Sequence, residues 1–312
     1  MKSHNGIIKS LLVFVFIAAL SAGCGDNSTD PDPSSDFDVQ LTSTSSHGEV
    51  IADGDGNVLY LFTPDVAGES LCEGTCIDNW PVFKVDTGQL AVGNGLQENR
   101  FGSVMRTDGN SQTTYMGWPL YYFDGDGQPG SVNGDGLNDV WYVANPNYSL
   151  MIATQQLVGQ DENNYRVDDE GNYVEGEEQT SHFVDVEGRT LYIFINDSAN
   201  TNNYTDEDFG NNDTWPIFHV DVEALPSKMN VEHFGEITVH GEEQQLTYKG
   251  WPLYYFGPDT ERGDTRGVSV PAPGVWPVVQ TDISAAPGYS SDPGNGDGDG
   301  DGDDDDDPDP GY

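Results

Sequence analysis

The sequence predicts an all-β protein of two tandem antiparallel modules, each a sandwich or small barrel with an internal pseudo-twofold repeat. Three observations predict it. First, Tyr115-Met116-Gly117-Trp118-Pro119-Leu120-Tyr121-Tyr122-Phe123 returns almost unchanged as Tyr248-Lys249-Gly250-Trp251-Pro252-Leu253-Tyr254-Tyr255-Phe256, which marks a duplication. Second, a Tyr-x-Phe-x-x-Asp string occurs twice in each copy: Tyr60, Phe62, Asp65 and Tyr121, Phe123, Asp126, then Tyr192, Phe194, Asp197 and Tyr254, Phe256, Asp259. Third, a tryptophan follows each aspartate by 15 to 18 residues, at Trp80, Trp141, Trp215 and Trp276. The chain therefore reads A-B-A-B. A single four-unit, propeller-like ring is the alternative arrangement.

Residues 1–23 read as a lipoprotein signal peptide and 24–46 as a flexible stalk; 47–145 are the first repeat domain and 146–180 a bridging strand with an acidic linker. The second repeat domain follows at 181–281, and 282–312 form a disordered Asp/Gly/Pro tail. Lys2 and Lys9 flank the start of an apolar run, Leu11 to Leu20, too short for a spanning helix and suited to export. Ser21-Ala22-Gly23-Cys24 resembles the lipobox of bacterial lipoproteins, which makes Cys24 the lipidated first residue of the mature chain. An ordinary cleaved signal with an incidental cysteine is the alternative. Lipid on Cys24 implies a membrane partner without a spanning segment, and hence a bacterial cell envelope address: the outer membrane or cell surface if the cell is Gram-negative.

In the first domain, Asp53-Gly54-Asp55-Gly56-Asn57 separates two apolar segments and predicts a β-hairpin. Its spacing imitates a calcium loop, but Val58 and Pro64 stand where that loop needs Gly and Glu, which excludes an EF-hand. Cys72 and Cys76 are the thiols that remain after acylation of Cys24, and in an exported chain they are expected to form a disulfide. A redox or metal role for the pair is the alternative. Trp118-Pro119 bends the chain into the strand Leu120 to Phe123. The following loop is dense in carboxylates, and Asp124, Asp126, Asn133, Asp135 and Asp139 are the candidate calcium ligands. A solvated Gly-Asp turn explains the same residues without an ion.

The second domain repeats the order from Asp185 to Val279, with an equal interval from Phe101 to Tyr121 and from Phe234 to Tyr254. His219, His233 and His240, with Met229 nearby, offer nitrogen and sulfur donors but no recognised metal spacing. Most aromatic rings are expected in the core. An outward-facing stacking platform for sugars is the alternative.

At these residues the chain resembles the bacterial secreted-repeat lipoproteins of unknown function, named for a Tyr-x-aromatic-x-x-Asp motif. The resemblance rests on the four motif copies, on Asn79-Trp80-Pro81 and Thr214-Trp215-Pro216, and on the paired Gly-Trp-Pro-Leu-Tyr-Tyr-Phe strings. It implies the envelope address and the repeat, and supplies no substrate or catalytic residue. The second domain departs from the first in lacking the cysteine pair.

Composition narrows the function classes further. Asp and Glu outnumber Lys and Arg by 54 to 11, a net charge of −43, and no basic cluster tracks a phosphate backbone, so nucleic acid is excluded as a partner. No nucleophile elbow, phosphate loop or zinc-protease helix stands in the chain. The expectation is a non-enzymatic envelope module that binds an unknown envelope or extracellular ligand, with no established cofactor and calcium as the candidate ion. The alternatives are a periplasmic redox or metal-handling partner, and a carbohydrate-binding or carbohydrate-active protein using acid pairs such as Asp126 with Asp139 or Asp259 with Asp264.

Overall fold

The computed structural model describes residues 36–290. Residues 1–35 and 291–312, which include the signal segment, Cys24 and most of the expected stalk and tail, lie outside the described residues; of the rest, 39–44, expected in the flexible stalk, form a strand, and 284–287, expected in the disordered tail, are hydrogen-bonded to the second half. The chain is built from short strands in separate antiparallel sheets, with almost no helix and no closed barrel among the described residues.

In the first half, β1 (Val39–Thr44) and β2 (Gly48–Asp53) form a hairpin registered from Val39↔Asp53 to Thr44↔Gly48. The chain continues through β3 (Tyr60–Phe62) to the three-stranded meander β4 (Phe101–Met105), β5 (Ser111–Tyr115) and β6 (Trp118–Pro119). It closes with β7 (Trp141–Val143) back on β3. In the second half, β8 (Met151–Val158), β9 (Asn164–Val167), β10 (Tyr173–Glu175) and β11 (Gln179–Val184) form a sheet in the order β10-β9-β8-β11. The meander returns as β12 (Phe234–Val239), β13 (Glu243–Tyr248) and β14 (Trp251–Pro252). The ladders between named strands all lie within one half.

The halves correspond closely. β8 and β11 stand where β1 and β2 stand, and the β9–β10 hairpin is an insertion between them. Residues 146–180, read from the sequence as one bridging strand and an acidic linker, thus carry three strands. Tyr165 and Val167, alternating with polar residues, supply the apolar face of that hairpin, and Tyr165 is buried. The turn of each meander lies one step before the expected bend. Met116 and Gly117 both have positive φ (50° and 83°), as do Lys249 and Gly250 (48° and 82°), the pattern of a two-residue hairpin turn matched to strand twist. Trp118 and Pro119 then pair with Tyr115 and Thr114.

At the centre of each half, the two motif tyrosines pair backbone to backbone. Tyr60 N–H donates to Tyr121 C=O at 2.8 Å and Tyr121 N–H returns to Tyr60 C=O at 3.0 Å; Tyr192 and Tyr254 do the same at 2.9 Å each way. This pair is the pseudo-twofold axis. Across it runs a four-ring stack, Phe62–Trp141–Trp80–Phe123, with centroid steps of 4.2, 3.7 and 4.4 Å. Its counterpart Phe194–Trp276–Trp215–Phe256 steps 4.5, 3.7 and 4.4 Å. Stacked rings with tyrosine edges against their faces gain roughly 0.5–1.5 kcal/mol per pair beyond area burial.

Gly134 and Gly267 pass beneath these stacks because nothing larger fits. A Cβ at either position would lie 2.8 Å from the nearest tryptophan and tyrosine ring carbons, whereas Gly127 has open space around it. Gly267→Ala is therefore expected to destabilise the chain by about 1–3 kcal/mol, with Gly127→Ala neutral. Urea denaturation of the two variants, followed by tryptophan fluorescence, checks the difference.

Candidate functional site

The motif residues converge on each pseudo-twofold axis. Each tyrosine hydroxyl reaches across and donates to the aspartate of the other motif. Tyr60 reaches Asp126 and Tyr121 reaches Asp65, both at 2.6 Å; Tyr192 reaches Asp259 at 2.6 Å and Tyr254 reaches Asp197 at 2.8 Å. The second carboxylate oxygen of every motif aspartate accepts a backbone N–H six or seven residues downstream, from Leu71, Asn133, Asn203 and Arg266, at 2.7–3.0 Å. A third tyrosine joins in each half, Tyr122 to Asp53 and Tyr255 to Asp185, at 2.9 and 2.8 Å. Asp53 and Asp185 in turn accept the backbone N–H groups of their own hairpins. The calcium-like spacing around Asp53 is thus a turn signature.

The surroundings of these groups differ between the halves. In the first, the Cys72–Cys76 disulfide forms, with Cα atoms 5.4 Å apart. The buried Arg106 guanidinium holds Cys72 C=O at 2.8 Å, Gln112 Oε1 at 2.9 Å and Ser70 Oγ, while Ser70 touches the Tyr121 hydroxyl. In the second half, Val239 stands in the place of Arg106, and Asn202 Nδ2 donates to Gln245 Oε1 at 2.8 Å instead. Nothing in the local sequence around Arg106 marks it as the one cation buried against a disulfide loop.

Among the described residues, no three carboxylates of the calcium candidates come together around one point. Asp126 faces Tyr60 and Asn133; Asp135 faces His47 at 3.0 Å and Val143 N–H at 2.9 Å; Asp139 pairs with Lys228 at 2.6 Å; Asp124 is exposed. Asn133 turns its side chain to Gly125 C=O. Of the acid pairs, Asp139 forms a salt bridge with Lys228, whereas Asp264 caps its own turn through Thr260 and Glu261 N–H and lies near enough to Asp259 for its charge to add to the upward shift of that carboxyl. The histidines separate as well. His240 bonds Thr205 C=O, His233 lies against the Tyr248 ring, and His219 meets Glu236 at 2.6 Å. Among the described residues, His219, Asp221 and Glu236 are the group whose three ligating atoms lie within 4.8 Å of one another, and all three are exposed.

A recess of about 140 Å³ is lined by Asp139, His182, Lys228 and Asp282 among others. His182 is buried, its pKa pulled down to about 4 by desolvation. Its Nδ1 lies 3.1 Å from Thr180 C=O, so the proton sits there, and Nε2 has no protein partner. This is a neutral acceptor, and no hydroxyl or thiol nucleophile is hydrogen-bonded to it.

Three stretches, 41–84, 102–145 and 238–280, match the model of a family described as a secreted repeat of unknown function. The chain carries that secreted repeat. The first two matches are the A and B units of the first half, and the third is the B unit of the second. The remaining A unit, around Thr180 to Phe218, lies outside the three matched stretches although it supplies Tyr192, Asp197 and Trp215. No curated protein and no solved structure matches the chain. Among the described residues no helix is long and apolar enough to cross a membrane.

Burial places the repeat's aspartates in an unusual state. Desolvation raises Asp65 to about 7 and Asp197 and Asp259 to about 6, against the partial relief given by tyrosine and backbone donors. The partner tyrosines are pushed up from 10, first by burial and then by the neighbouring carboxylates. Each of these aspartates starts near 3.8 in an unperturbed chain, so the native state holds protons that the unfolded state has lost. Their contribution to stability is complete below about pH 4 and is lost as pH rises through 6 to 7. The melting temperature is therefore expected to fall between pH 4 and pH 7.5. Asp65→Asn, which keeps the neutral shape, should flatten that fall; calorimetry of both proteins across the range separates this effect from surface charge, which the substitution barely alters.

Proposed function

We propose that the chain is a non-catalytic, lipid-anchored module of the bacterial cell envelope, in which the repeat motif builds the framework and the variable loops face the surroundings. One observation carries this reading. The four tyrosine–aspartate pairs are internal to the fold: each pair is closed by its own hydrogen bonds, and three of the four aspartates are at most 3 % exposed. A tyrosine whose pKa is raised and a carboxylate already holding two donors are poor proton-transfer groups. All six tryptophans are buried too, so stacking on a ligand is left to smaller, partly exposed rings such as Phe62 and Phe194.

The anchor reading rests on Lys2, Lys9, the apolar run and Ser21-Ala22-Gly23-Cys24. Fractionation of cells expressing wild type and Cys24→Ala tests it: the variant should leave the membrane fraction for the soluble one, and equal membrane retention of both would overturn the anchor. On the non-catalytic reading, Tyr121→Phe, which strips a buried carboxylate of a donor, costs about 1–3 kcal/mol of stability. Any activity found for the chain should then fall only in proportion to the folded fraction; selective loss at full stability would make the pair catalytic.

Metal handling is the second reading, favoured by the His219–Asp221–Glu236 cluster. The first half has Lys84, Asp86 and Ser103 at the corresponding places, so the fold does not need the cluster. Equilibrium dialysis against zinc, with His219→Ala as control, decides it: this reading expects one equivalent bound by wild type and none by the variant.

A further inference from the structure

The same turn is covered twice in this molecule, by unrelated pieces of chain. In the first half, the Trp118 indole N–H donates to Val186 C=O at 3.0 Å, and Met116 C=O accepts from the Arg262 guanidinium at 2.9 Å. Arg262 also lies over the Trp118 ring and closes on Gly117, where a Cβ would stand 3.0 Å from it. Val186 and Arg262 belong to the second half. In the second half itself, the Trp251 indole N–H donates to Ser284 C=O at 2.8 Å, and Lys249 C=O accepts from Ala286 N–H at 2.9 Å. Tyr289 closes on Gly250, where a Cβ would stand 2.7 Å from its ring.

Donor, acceptor and glycine floor recur in both places. The turn is thus a socket that offers one indole N–H, one outward carbonyl held in left-handed backbone, and a flat floor. It recognises backbone groups and a planar side chain, and so tolerates different sequences. We propose that residues 281–290 are an intramolecular plug: they fill in the second half the docking socket that a following module fills in the first, and the vacated socket takes the same segment of a second copy of this chain in trans.

The residues that differ between the halves fit this assignment. Lys249 replaces Met116 and donates to Thr281 and Ile283 C=O at 2.9 and 3.0 Å, bonds that tie down the plug. Ala286, in the middle of the segment, is buried against the second core, and Ala199 N–H holds Pro287 C=O at 3.0 Å. At the opposite end of the array, Pro129 stands in the place of Arg262 and packs on Gly56. The loop packed on the first hairpin therefore carries no arginine at this place to enter a socket. A repeat array whose units dock head to tail needs such closures to stop at a fixed number.

The test uses the full chain and a labelled synthetic peptide with the sequence of residues 281–290. In wild type, the Ala286 and Ala199 amides should exchange slowly and the peptide should not bind. In Lys249→Met/Ala286→Glu, both amides should exchange at least tenfold faster. The peptide should then bind at least tenfold more tightly than to wild type, and adding Trp251→Phe should weaken it at least fivefold. Exchange across β13 reports whether the double variant folds; if it does not, Lys249→Met alone, which restores the residue native to the first turn, takes its place. Amides that stay protected overturn the plug, and a freed socket that ignores the peptide overturns docking in trans.

Discussion

One exchange holds each half of this protein together: the tyrosine of one motif hydrogen-bonds the aspartate of the other. Burying a carboxylate without donors is costly, and a buried tyrosine hydroxyl without an acceptor is costly as well. Crossing the two motifs satisfies both at once. The remaining carboxylate oxygen then fixes the loop that follows, through a backbone N–H six or seven residues on. That loop delivers the tryptophan, and the tryptophan stacks on its counterpart from the other motif at 3.7 Å. Tyrosine, aspartate and tryptophan thus form one chain of dependence, in which each group is positioned by the one before it.

What the two halves do differently shows which parts of this chain of dependence are fixed. Between the first motif aspartate and its tryptophan, the first half uses a disulfide and a buried arginine. The second uses Asn202 and Asn211 amides and the Tyr204 ring against Phe194 and Trp276. The spacing stretches from 15 to 18 residues, yet the stack re-forms at the same distance. Loop closure is therefore interchangeable chemistry, whereas the positions of ring and carboxylate are not.

Much of this was legible in the residues. A period-two aromatic string ending in aspartate, with a tryptophan at near-constant distance, marks both the strand and its partner, and the equal intervals from Phe101 and Phe234 give the register of the duplication. The crossing was not legible, because Tyr60 and Asp126 lie 66 residues apart and each motif already contains both groups, which suggests pairing within a motif. The loop carboxylates read as cation ligands for the same reason. Sequence shows that Asp126, Asp135 and Asp139 are close along the chain, but not that a tyrosine, a histidine and a lysine from distant segments take them one by one. The β9–β10 hairpin was hidden by its polarity, since only one face of it is apolar.

The crossed pairing also explains why the repeat comes in twos. A single Tyr-x-Phe-x-x-Asp unit would bury a tyrosine without its acceptor, a carboxylate without its donor, and half of a ring stack. The smallest unit that satisfies its own polar groups is a pair. An A unit can then drift only where its B partner does not depend on it. The A unit of the second half, outside the stretches that match the secreted repeat, has no cysteines and a longer loop than the first, yet it carries Tyr192, Asp197 and Trp215. Those three are the groups that Asp259, Tyr254 and Trp276 require. Docking between pairs needs only an indole and a carbonyl on the Gly-Trp turn, so it places far weaker demands on sequence than the crossing within a pair.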